Sequence, residues 1–339
     1  MIEISPQVSL QDRNSLALPA CAEYFCSVSD QAQVVEALDY ARSQGLQVTA
    51  LGGGSNLVLA GDIAGLVIYV DLQGIRCVHS SKDQVHIEFA AGENWHRAVE
   101  YCLQQGWYGL ENLSLIPGNM GAAPIQNIGA YGVELCDVFV SLQAIDMTTG
   151  QSLVMDKQAC EFGYRDSIFK RQHSNRYLIT QVTLALSLQP QVNLQYPALA
   201  QALATVGKPT PQMVSDAVCA IRRAKLPDPD QIANAGSFFK NPVVSSDKLE
   251  GLLQSNPQMP YFSLDSAQAK VPAAWLIEQC GFKGQRSGNV GVHQHQALVL
   301  VNFGGTGAEL LALADNIQSE VQQRFAIALE IEPRIYGQH

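Results

Sequence analysis

The amino-acid sequence predicts a protein of mixed α-helices and β-strands that has room for two or three domains. Its 339 residues are enough to bury a substantial core. Apolar residues make up 47% of the chain and charged residues 15%, which is ordinary for a globular protein. Helical and strand periodicities both occur along the chain, and glycine-rich stretches interrupt them.

Five helices are predicted from apolar residues spaced three or four apart and from capping residues at helix ends. Asp30 with Gln33 resembles a capping box, and Thr306 with Glu309 resembles another. Thr210 precedes a proline, which is suited to the first position of a helix. The predicted helices span 30–43, 95–105, 211–224, 273–280 and 307–324.

Seven strands are predicted from short apolar or alternating runs. In the segment 178–188, Leu178, Val182 and Leu186 have the same parity and should face the core. In the last predicted strand, Glu330 and Glu332 should point the same way, either as a solvated edge or as functional groups. The predicted strands span 47–51, 66–70, 85–89, 138–145, 178–188, 297–301 and 329–335.

The glycine-rich stretch from Ile116 to Gly132 is the most informative part of the sequence. Its glycines and two prolines exclude a long helix or a central strand. Such a path leaves backbone N–H groups able to form a concave anion site. Gln126 and Asn127 add amides suited to recognising a flat heterocycle. We interpret the stretch as the cradle of a phosphate-bearing cofactor, and the alternative is a long surface loop.

A second glycine-rich turn, Gly52-Gly53-Gly54-Ser55-Asn56, follows the predicted strand 47–51. A turn between a strand and the next element can present N–H groups to phosphate, although three glycines also form ordinary tight connections. The turn matches neither the Gly-x-Gly-x-x-Gly fingerprint nor a P-loop. The sequence therefore does not favour a Rossmann domain or a Walker ATPase.

Several polar residues have more than one interpretation. Arg165, in a Tyr-Arg-Asp run, belongs either to a surface turn with a salt bridge or to a site, and Arg222 can simply complement a helix dipole. His293 and His295 can share a metal, but no third ligand is evident, so surface histidines are favoured and no metal is expected. Ser237 lacks the Gly-x-Ser-x-Gly elbow of serine hydrolases.

The overall charge and the cysteines limit the classes of partner and the compartment. A net charge of −10 argues against a nucleic-acid or anionic-membrane partner. The first 18 residues show no signal-peptide core, and no run of 18 apolar residues predicts a membrane span. Eight cysteines without a Cys-x-x-Cys pair indicate reduced thiols, so we expect a cytoplasmic protein.

Taken together, these segments resemble the UDP-N-acetylenolpyruvoylglucosamine reductases, a family of NADPH-dependent flavoenzymes of peptidoglycan precursor synthesis. The turn 52–56 and the run Pro-Gly-x-x-Gly with Gln-Asn-Ile-Gly-Ala-Tyr-Gly are similar to the two flavin-binding loops of the family. The resemblance covers roughly residues 14–337. It continues through Tyr-Arg-Asp-Ser at 164–167, Lys-Leu-Pro-Asp-Pro at 225–229, Gly-Ser-Phe-Phe at 236–239 and Leu-Glu-x-Glu at 329–332.

The resemblance implies an α/β (α+β) flavoprotein of three domains, with a vanillyl-alcohol-oxidase-type FAD-binding fold and a C-terminal substrate domain. Residues 1–73, completed by the C-terminal strand 326–339, would form the first FAD-binding subdomain. Residues 74–224 would form the second subdomain, and residues 225–325 would bind the substrate.

The family's functional residues carry over position by position. Catalytic roles fall on Arg165, Ser237 and Glu332, with the serine as proton donor, and Arg222 would face the N1/O2 edge of the flavin. The implied FAD-binding residues are Gly52, Gly53, Gly54, Ser55, Asn56, Gly118, Gly121, Gln126, Asn127, Ile128, Gly129 and Arg222. The implied substrate-binding residues are Tyr196, Lys225, Asn241 and Gln296. Pro197 and Ala198 replace the Gly-Asp that commonly follows the tyrosine in the family, which puts in question how far this loop can move.

The implied reaction is FAD-mediated reduction, by NADPH, of the enolpyruvyl ether of UDP-N-acetylglucosamine to UDP-N-acetylmuramate. A flavin-dependent oxidase or dehydrogenase of a sugar alcohol and a non-catalytic nucleotide sensor remain alternatives. We expect a monomer whose partners are NADPH and the nucleotide sugar, with no nucleic-acid or membrane partner.

Overall fold

The computed structural model describes residues 2–337 and has the mixed helix and strand content that the sequence predicts. Its α-helices are α1 (Gln31–Gln44), α2 (Trp95–Gln105), α3 (Lys157–Cys160), α4 (Pro197–Ala202), α5 (Pro211–Lys225), α6 (Ser246–Ser255), α7 (Ala273–Gln279) and α8 (Gly307–Phe325). Short 3-10 helices lie at Gln11–Arg13, Glu111–Leu113, Met120–Gln126 and Leu135–Asp137. Among the helices of residues 2–337, none combines the length and apolar character needed to cross a membrane.

The strands are short, and most belong to small sheets. They are β1 (Ser5–Ser9), β2 (Cys21–Val28), β3 (Val48–Leu51), β4 (Leu57–Leu59), β5 (Ile63–Val70), β6 (Ile75–Ser80), β7 (Gln84–Ala90), β8 (Gly129–Ala130), β9 (Val133–Glu134), β10 (Phe139–Asp146), β11 (Ser152–Asp156), β12 (Tyr177–Ser187), β13 (Ala233–Ser237), β14 (Val243–Ser245), β15 (Phe262–Ser263), β16 (Gln268–Lys270), β17 (Arg286–Ser287), β18 (Val290–Val292), β19 (Val299–Asn302) and β20 (Arg334–Tyr336).

The chain forms two compact units, each assembled from separate segments. The first unit contains the residues up to Val8 together with Ala22–Gly54 and Ile63–Ala224. The second contains Ser9–Cys21, Ser55–Asp62 and the residues from Lys225 onward. The three-domain division with boundaries near residues 73 and 224 stays a prediction.

The first unit contains a partly parallel sheet with the strand order β1-β2-β5-β3. Strands β2 and β3 both run parallel to β5. Helix α1 begins after Asp30, whose carboxylate accepts the Gln33 N–H at 2.8 Å, and ends at Gly45 in the left-handed conformation. The apolar side of α1 shares a buried core with β5 that includes Val34, Leu38, Leu66 and Ile68.

A second sheet of the first unit is antiparallel, with the strand order β11-β10-β12-β7-β6. Leu178, Val182 and Leu186 of β12 are buried, which confirms the predicted parity of this strand. Helix α2 and the 3-10 helices Glu111–Leu113 and Met120–Gln126 contribute to the same core. This core includes Phe89, Trp95, Leu113, Met120, Leu142 and Leu184.

The second unit contains an antiparallel sheet with the strand order β13-β19-β18-β17. It also contains a three-stranded sheet β14-β16-β15 and a parallel pair of β4 with β20. Helix α8 begins at a reciprocal capping box of Thr306 and Glu309, which confirms the prediction for this helix start. Helices α7 and α8 meet where the rings of Trp275 and Phe325 lie 5.7 Å apart.

Two predictions of local structure were wrong in detail. The strand predicted over 329–335 is limited to β20, because Pro333 has no N–H for a ladder; before it, only Ile331 makes an isolated bridge, to Phe239. The capping box at α1 is half formed, because the Gln33 side chain accepts the N–H of Ser29 rather than that of Asp30. Several elements were not predicted, among them the strands β2, β4 and β13 and the helices α3, α4 and α6.

Gly307, the first residue of α8, should tolerate no side chain. A Cβ there would lie 1.9 Å from the carbonyl oxygen of Leu59, whereas a Cβ on Gly251 in α6 would have open space. We expect Gly307→Ala to lower the free energy of unfolding by about 1–3 kcal/mol through overpacking. Gly251→Ala, the matched control, should raise it by roughly 0.5–1 kcal/mol. Chemical denaturation measures both, and equal stability of the two variants would contradict this packing.

Candidate active site

In the first unit, the two predicted glycine loops lie directly against each other. A Cβ on Gly53 would lie 3.1 Å from the Cα of Gly118 and 2.9 Å from Oδ1 of Asn119. Two backbones can approach this closely only where a side chain is missing. The two loops that the sequence singled out therefore meet in the folded chain, although 65 residues separate Gly53 from Gly118. That they hold a cofactor together stays a prediction.

The second glycine loop is anchored along its start to the segment before α2. The backbone N–H of Trp95 donates to the carbonyl of Gly118 at 3.0 Å, and the backbone N–H of Gly121 donates to the carbonyl of Ala91 at 2.8 Å. A Cβ on Gly121 would lie 2.6 Å from the Cβ of Ala91. Gly121 is thus required for packing, whatever it also binds.

The side chain of Asn127 has a structural role that differs from our sequence interpretation. Its Nδ2 donates to Glu134 Oε2 at 2.9 Å and to the Gly163 carbonyl at 3.1 Å, and its Oδ1 accepts the Cys136 N–H at 3.0 Å. Both amide hydrogens are engaged within the protein, so they do not read a heterocycle. Contacts of a cofactor with Gln126 or with the backbone of Asn127 stay predictions.

Four non-glycine residues in this region have left-handed backbones, namely Leu115, Asn127, Tyr131 and Arg165, with φ between +45° and +59°. Such a conformation costs an L-residue roughly 1–2 kcal/mol. It persists where the surrounding contacts determine the path, and such residues concentrate at functional sites.

Arg165 is held against the second glycine loop. Its Nη2 donates to the carbonyl of Gly129 at 2.6 Å, and its guanidinium carbon lies 5.7 Å from the centre of the Tyr164 ring. A Cβ on Gly129 would lie 3.0 Å from Nη1 of Arg165. Gly129 therefore makes room for this guanidinium.

Arg222 of α5 lies near Arg165 and contains a buried donor. Its Nε is fully buried and has no hydrogen-bond partner among residues 2–337, although the residue as a whole is partly exposed. Burial lowers the pKa of Arg222, the neighbouring Tyr131 and Cys219 oppose this shift, and the charge of Arg165 adds to it. A buried, unsatisfied donor next to a second cation is suited to an anionic or electron-rich ligand.

Tyr196 immediately precedes α4, with Pro197 as the first residue of that helix. Its ring packs edge-to-face on Tyr131, with ring centres 5.0 Å apart. Leu199 of α4 is buried with Val214 and Val218 of α5. The segment around Tyr196 is therefore packed on the end of the glycine loop and on α5.

In the second unit, Ser237 and Glu332 lie on two segments that are paired with each other. Ser237 ends β13 opposite Val299, directly after Gly236, whose φ is +69°. Glu332 donates its N–H to the carbonyl of the next residue after the serine, Phe238, at 2.9 Å. Beside them, Lys240 and Glu330 form an ion pair.

The phenylalanines after Ser237 explain why this segment is rigid. Phe238 and Phe239 are both fully buried, and their rings pack edge-to-face with centres 5.4 Å apart. Gly236 has open space where a side chain would be, so it is needed for its positive φ. The two rings fix the backbone that presents the serine hydroxyl.

The remaining predicted residues of the second unit are spread over several elements. Lys225 ends α5 and is exposed. Asn241 accepts the Ala273 N–H with its Oδ1 at 2.9 Å, which fixes its amide at the start of α7. Gln296 is half-buried before β19. Within residues 2–337, no cluster of three possible metal ligands occurs, and the rings of His293 and His295 contact each other.

Ser55 and Asn56, the end of the first glycine turn, belong to the second unit. The carbonyl of Asn56 accepts the Arg334 N–H at 3.1 Å, which continues the pairing of β4 with β20. This end of the turn is therefore tied to the C-terminal strand. Its predicted contact with a cofactor stays a prediction.

Sequence reasoning missed Asn119 and His96. Asn119 belongs to the second glycine loop; its side chain lies against Gly53 of the first loop, and its backbone bridges to Asn94. His96 of α2 accepts the Leu115 N–H with its Nδ1 at 3.0 Å, while its Nε2 faces Glu100 and Cys219. Asn119 lies in the second glycine loop, but the sequence analysis assigned cofactor contacts to the neighbouring glycines Gly118 and Gly121 and not to Asn119. No spacing or motif distinguishes His96 from an ordinary helix residue.

Comparisons with known proteins agree with one another. Residues 228–336 match the family model described as UDP-N-acetylenolpyruvoylglucosamine reductase, C-terminal domain, and residues 22–156 match the model described as FAD binding domain. The curated UDP-N-acetylenolpyruvoylglucosamine reductase of Paraburkholderia xenovorans (strain LB400) is 49% identical over 96% of this chain and 95% of its own. The enzyme of that name from Pseudomonas aeruginosa is 48% identical over 99% of both chains.

A solved structure shows the same fold. The crystal structure of UDP-N-acetylenolpyruvylglucosamine reductase from Thermus caldophilus aligns with a TM-score of 0.67 over 99% of each chain, at 22% identity. The expected fold, an FAD-binding part followed by a C-terminal domain of the reductase type, is confirmed.

His96 should make stability depend on pH. Burial lowers its pKa below the usual 6.5, and Arg223 and Arg222 add to this, while Glu100 opposes it. Below pH 6.5 the unfolded chain therefore binds a proton more readily than the folded protein, and the free energy of unfolding falls as pH falls. His96→Gln should lessen this decline between pH 7 and pH 5 in denaturation curves. The exposed His79→Gln is the control, and an unchanged decline in His96→Gln would exclude the effect.

Proposed function

The chain belongs to the family of UDP-N-acetylenolpyruvoylglucosamine reductases, and we propose that it reduces the enolpyruvyl ether of UDP-N-acetylglucosamine to UDP-N-acetylmuramate, with NADPH as the reductant. This reaction belongs to peptidoglycan precursor synthesis. The observation that supports it best is the buried, unsatisfied Arg222 Nε, which lies near Arg165 beside the glycine loops.

FAD fits the residues of the first unit. The contact of Gly53 with Gly118 offers bare backbone to a pyrophosphate, and Arg222 offers a buried donor to an acceptor that the protein itself does not supply. When bound, FAD would supply the redox chemistry, because a flavin can accept hydride from NADPH and donate it to the enolpyruvyl group. Arg222 would hold positive charge near the N1/O2 edge of the bound flavin, and such charge favours the reduced form.

Arg165 acts on the carboxylate of the substrate. An enol ether is electron-rich and resists hydride, so charge must be drawn toward the carboxylate as C3 is attacked. A guanidinium fixed by the Gly129 carbonyl is suited to stabilise that enolate-like charge without reorganising. Its left-handed backbone is consistent with a side chain held for this purpose.

Ser237 donates the proton that completes the reduction at C2. Serine is a weak acid, so its hydroxyl needs a strongly basic enolate-like carbon and a source that restores the proton. The buried phenylalanines after it keep the hydroxyl in place. Glu332, on the paired segment, either shares a proton with the enolate or fixes the protonation state of the substrate carboxylate.

In this proposal, the substrate is contacted by Tyr196, Lys225, Asn241 and Gln296. The lysine supplies charge for an anionic nucleotide sugar, and the amides supply directional hydrogen bonds. We propose that the protein is a monomer and that it works in the cytoplasm, where NADPH and nucleotide sugars are found. We propose no nucleic-acid or membrane partner for it.

The test of this function is a turnover assay with NADPH and the enolpyruvyl nucleotide, together with identification of the bound flavin. We expect NADPH oxidation that depends on the nucleotide. We also expect FAD to be released by acid precipitation, because neither glycine loop contains a His or Cys for covalent attachment. Reduction of the flavin by a sugar alcohol without NADPH would indicate the oxidase alternative. Binding without turnover would indicate the sensor.

Ser237→Ala should impair only the step that needs its proton. Loss of a positioned general acid costs about 10²–10⁴-fold in rate. Turnover of the enolpyruvyl nucleotide should fall by that factor, whereas stopped-flow absorbance should show NADPH reducing the protein-bound flavin at nearly the native rate. The exposed Ser263→Ala is the control. If flavin reduction and turnover of the nucleotide slow equally, Ser237 positions the flavin ring and is not the proton donor. If neither slows, Ser237 lies outside the active site.

A further inference from the structure

Asn112 is a buried polar residue that the proposed mechanism does not use. It lies in the 3-10 helix Glu111–Leu113, and only 2% of its surface is exposed. A buried amide must find partners inside the protein. Glu111 and Leu113, its neighbours in this short helix, are buried as well.

The partners of Asn112 are two backbone carbonyls from separate loops. Its Nδ2 donates to the carbonyl of Tyr131 at 2.8 Å and to the carbonyl of Asn193 at 2.9 Å. An amide nitrogen has two hydrogens, and both are used here. One side chain therefore ties the end of the second glycine loop to the segment that leads into α4.

A second asparagine strengthens the same connection. Asn193 donates from its Nδ2 to the Gly132 carbonyl at 3.4 Å, and its Oδ1 accepts the Gln195 N–H at 3.0 Å. Asn112 and Asn193 together are called the asparagine clamp below. The clamp binds the backbone on both sides of the contact between the rings of Tyr131 and Tyr196, which lie 5.0 Å apart.

We propose that the asparagine clamp positions Tyr196 for the nucleotide sugar and that Asn112 is its central residue. This inference rests on the proposed function, in which Tyr196 contacts the substrate. Asn112 touches neither substrate nor reacting atoms in this proposal. It acts by holding the tyrosine segment in place before the substrate arrives, so that less order has to be created on binding.

The residues Pro197 and Ala198, which stand where the family commonly has Gly-Asp, are also relevant to the order of this segment. Pro197 fits the first turn of α4, and Leu199 is fully buried. Both features favour a pre-ordered segment over a loop that orders when the substrate binds. Specificity for the nucleotide sugar would then come from a surface that is already assembled.

Asn112→Asp is the sharpest variant, because it keeps the shape and replaces the amide donor by a carboxylate acceptor facing two carbonyls. We expect hydrogen–deuterium exchange to rise in peptides covering residues 192–199. We also expect KM for the enolpyruvyl nucleotide to rise about tenfold, which two lost hydrogen bonds account for. The turnover number and the FAD content should change little.

Asn14→Asp is the matched control, because Asn14 is also buried and its Nδ2 donates to the carbonyls of Leu10 and Leu18, in the second unit. It should lower stability without changing exchange at 192–199 or the KM. If Asn112→Asp does not fold, Asn193→Ala removes the other half of the clamp and should change both readouts in the same direction, more weakly.

The proposal is overturned if Asn112→Asp, or Asn193→Ala in its place, leaves exchange and KM as in the wild type. It is also overturned if Asn14→Asp produces the same changes, because the effect would then be general destabilisation. Failure of the wild-type protein to turn over the nucleotide would contradict the proposed function instead. The exchange measurement tests the clamp without any reaction.

Discussion

The close approach of two backbones at Gly53 and Gly118 is the constraint on which the first unit depends. A Cβ on Gly53 would lie 3.1 Å from the Cα of Gly118 and 2.9 Å from Oδ1 of Asn119, so any side chain here would force the second loop to shift. In the same unit, the second loop is hydrogen-bonded to Ala91 and Trp95, and Arg165 is held against the carbonyl of Gly129. Ordering these glycines on folding costs conformational entropy, and the packed cores of the first unit offset that cost.

The same region contains two neighbouring positive charges and a buried hydrogen-bond donor that a ligand could satisfy. Arg165 and Arg222 lie close enough for the charge of one to lower the pKa of the other, and Arg222 has a buried donor without a partner among the described residues. Like charges at a partly buried site are unfavourable. A bound cofactor and an anionic substrate would supply the missing acceptors, so this part of the protein should gain stability on binding.

The sequence was most informative where a residue type has few physical alternatives. The capping box of α8, the Asp30 cap of α1 and the parity of β12 were predicted correctly, because capping and side-chain alternation leave local signals. The C-terminal strand was predicted too long, since propensity ignored the missing N–H of Pro333. Asn112, Asn119 and His96 gave no signal, because their partners are distant in sequence and a polar residue shows its role only through those partners. The amide of Asn127 was recognised as important, but its structural use could not be separated from ligand binding without the loop's path.

The segmented second unit has a consequence for synthesis on the ribosome. Its strand β4 pairs with β20, and the Asn302 side chain donates to the carbonyl of Leu16, so these early residues must wait for partners that are made much later. The first unit is complete once residue 224 has emerged, whereas the early segments of the second unit lack these partners until residues 302 and 334–336 have emerged. Leu57 and Leu59 of β4 are buried in the folded protein, but they stay exposed in the nascent chain until β20 has been made, and they can promote aggregation during that time. A prematurely terminated chain would lack Glu332 and the partner of β4 together, so incomplete synthesis would remove the proposed activity and the fold of this unit at once.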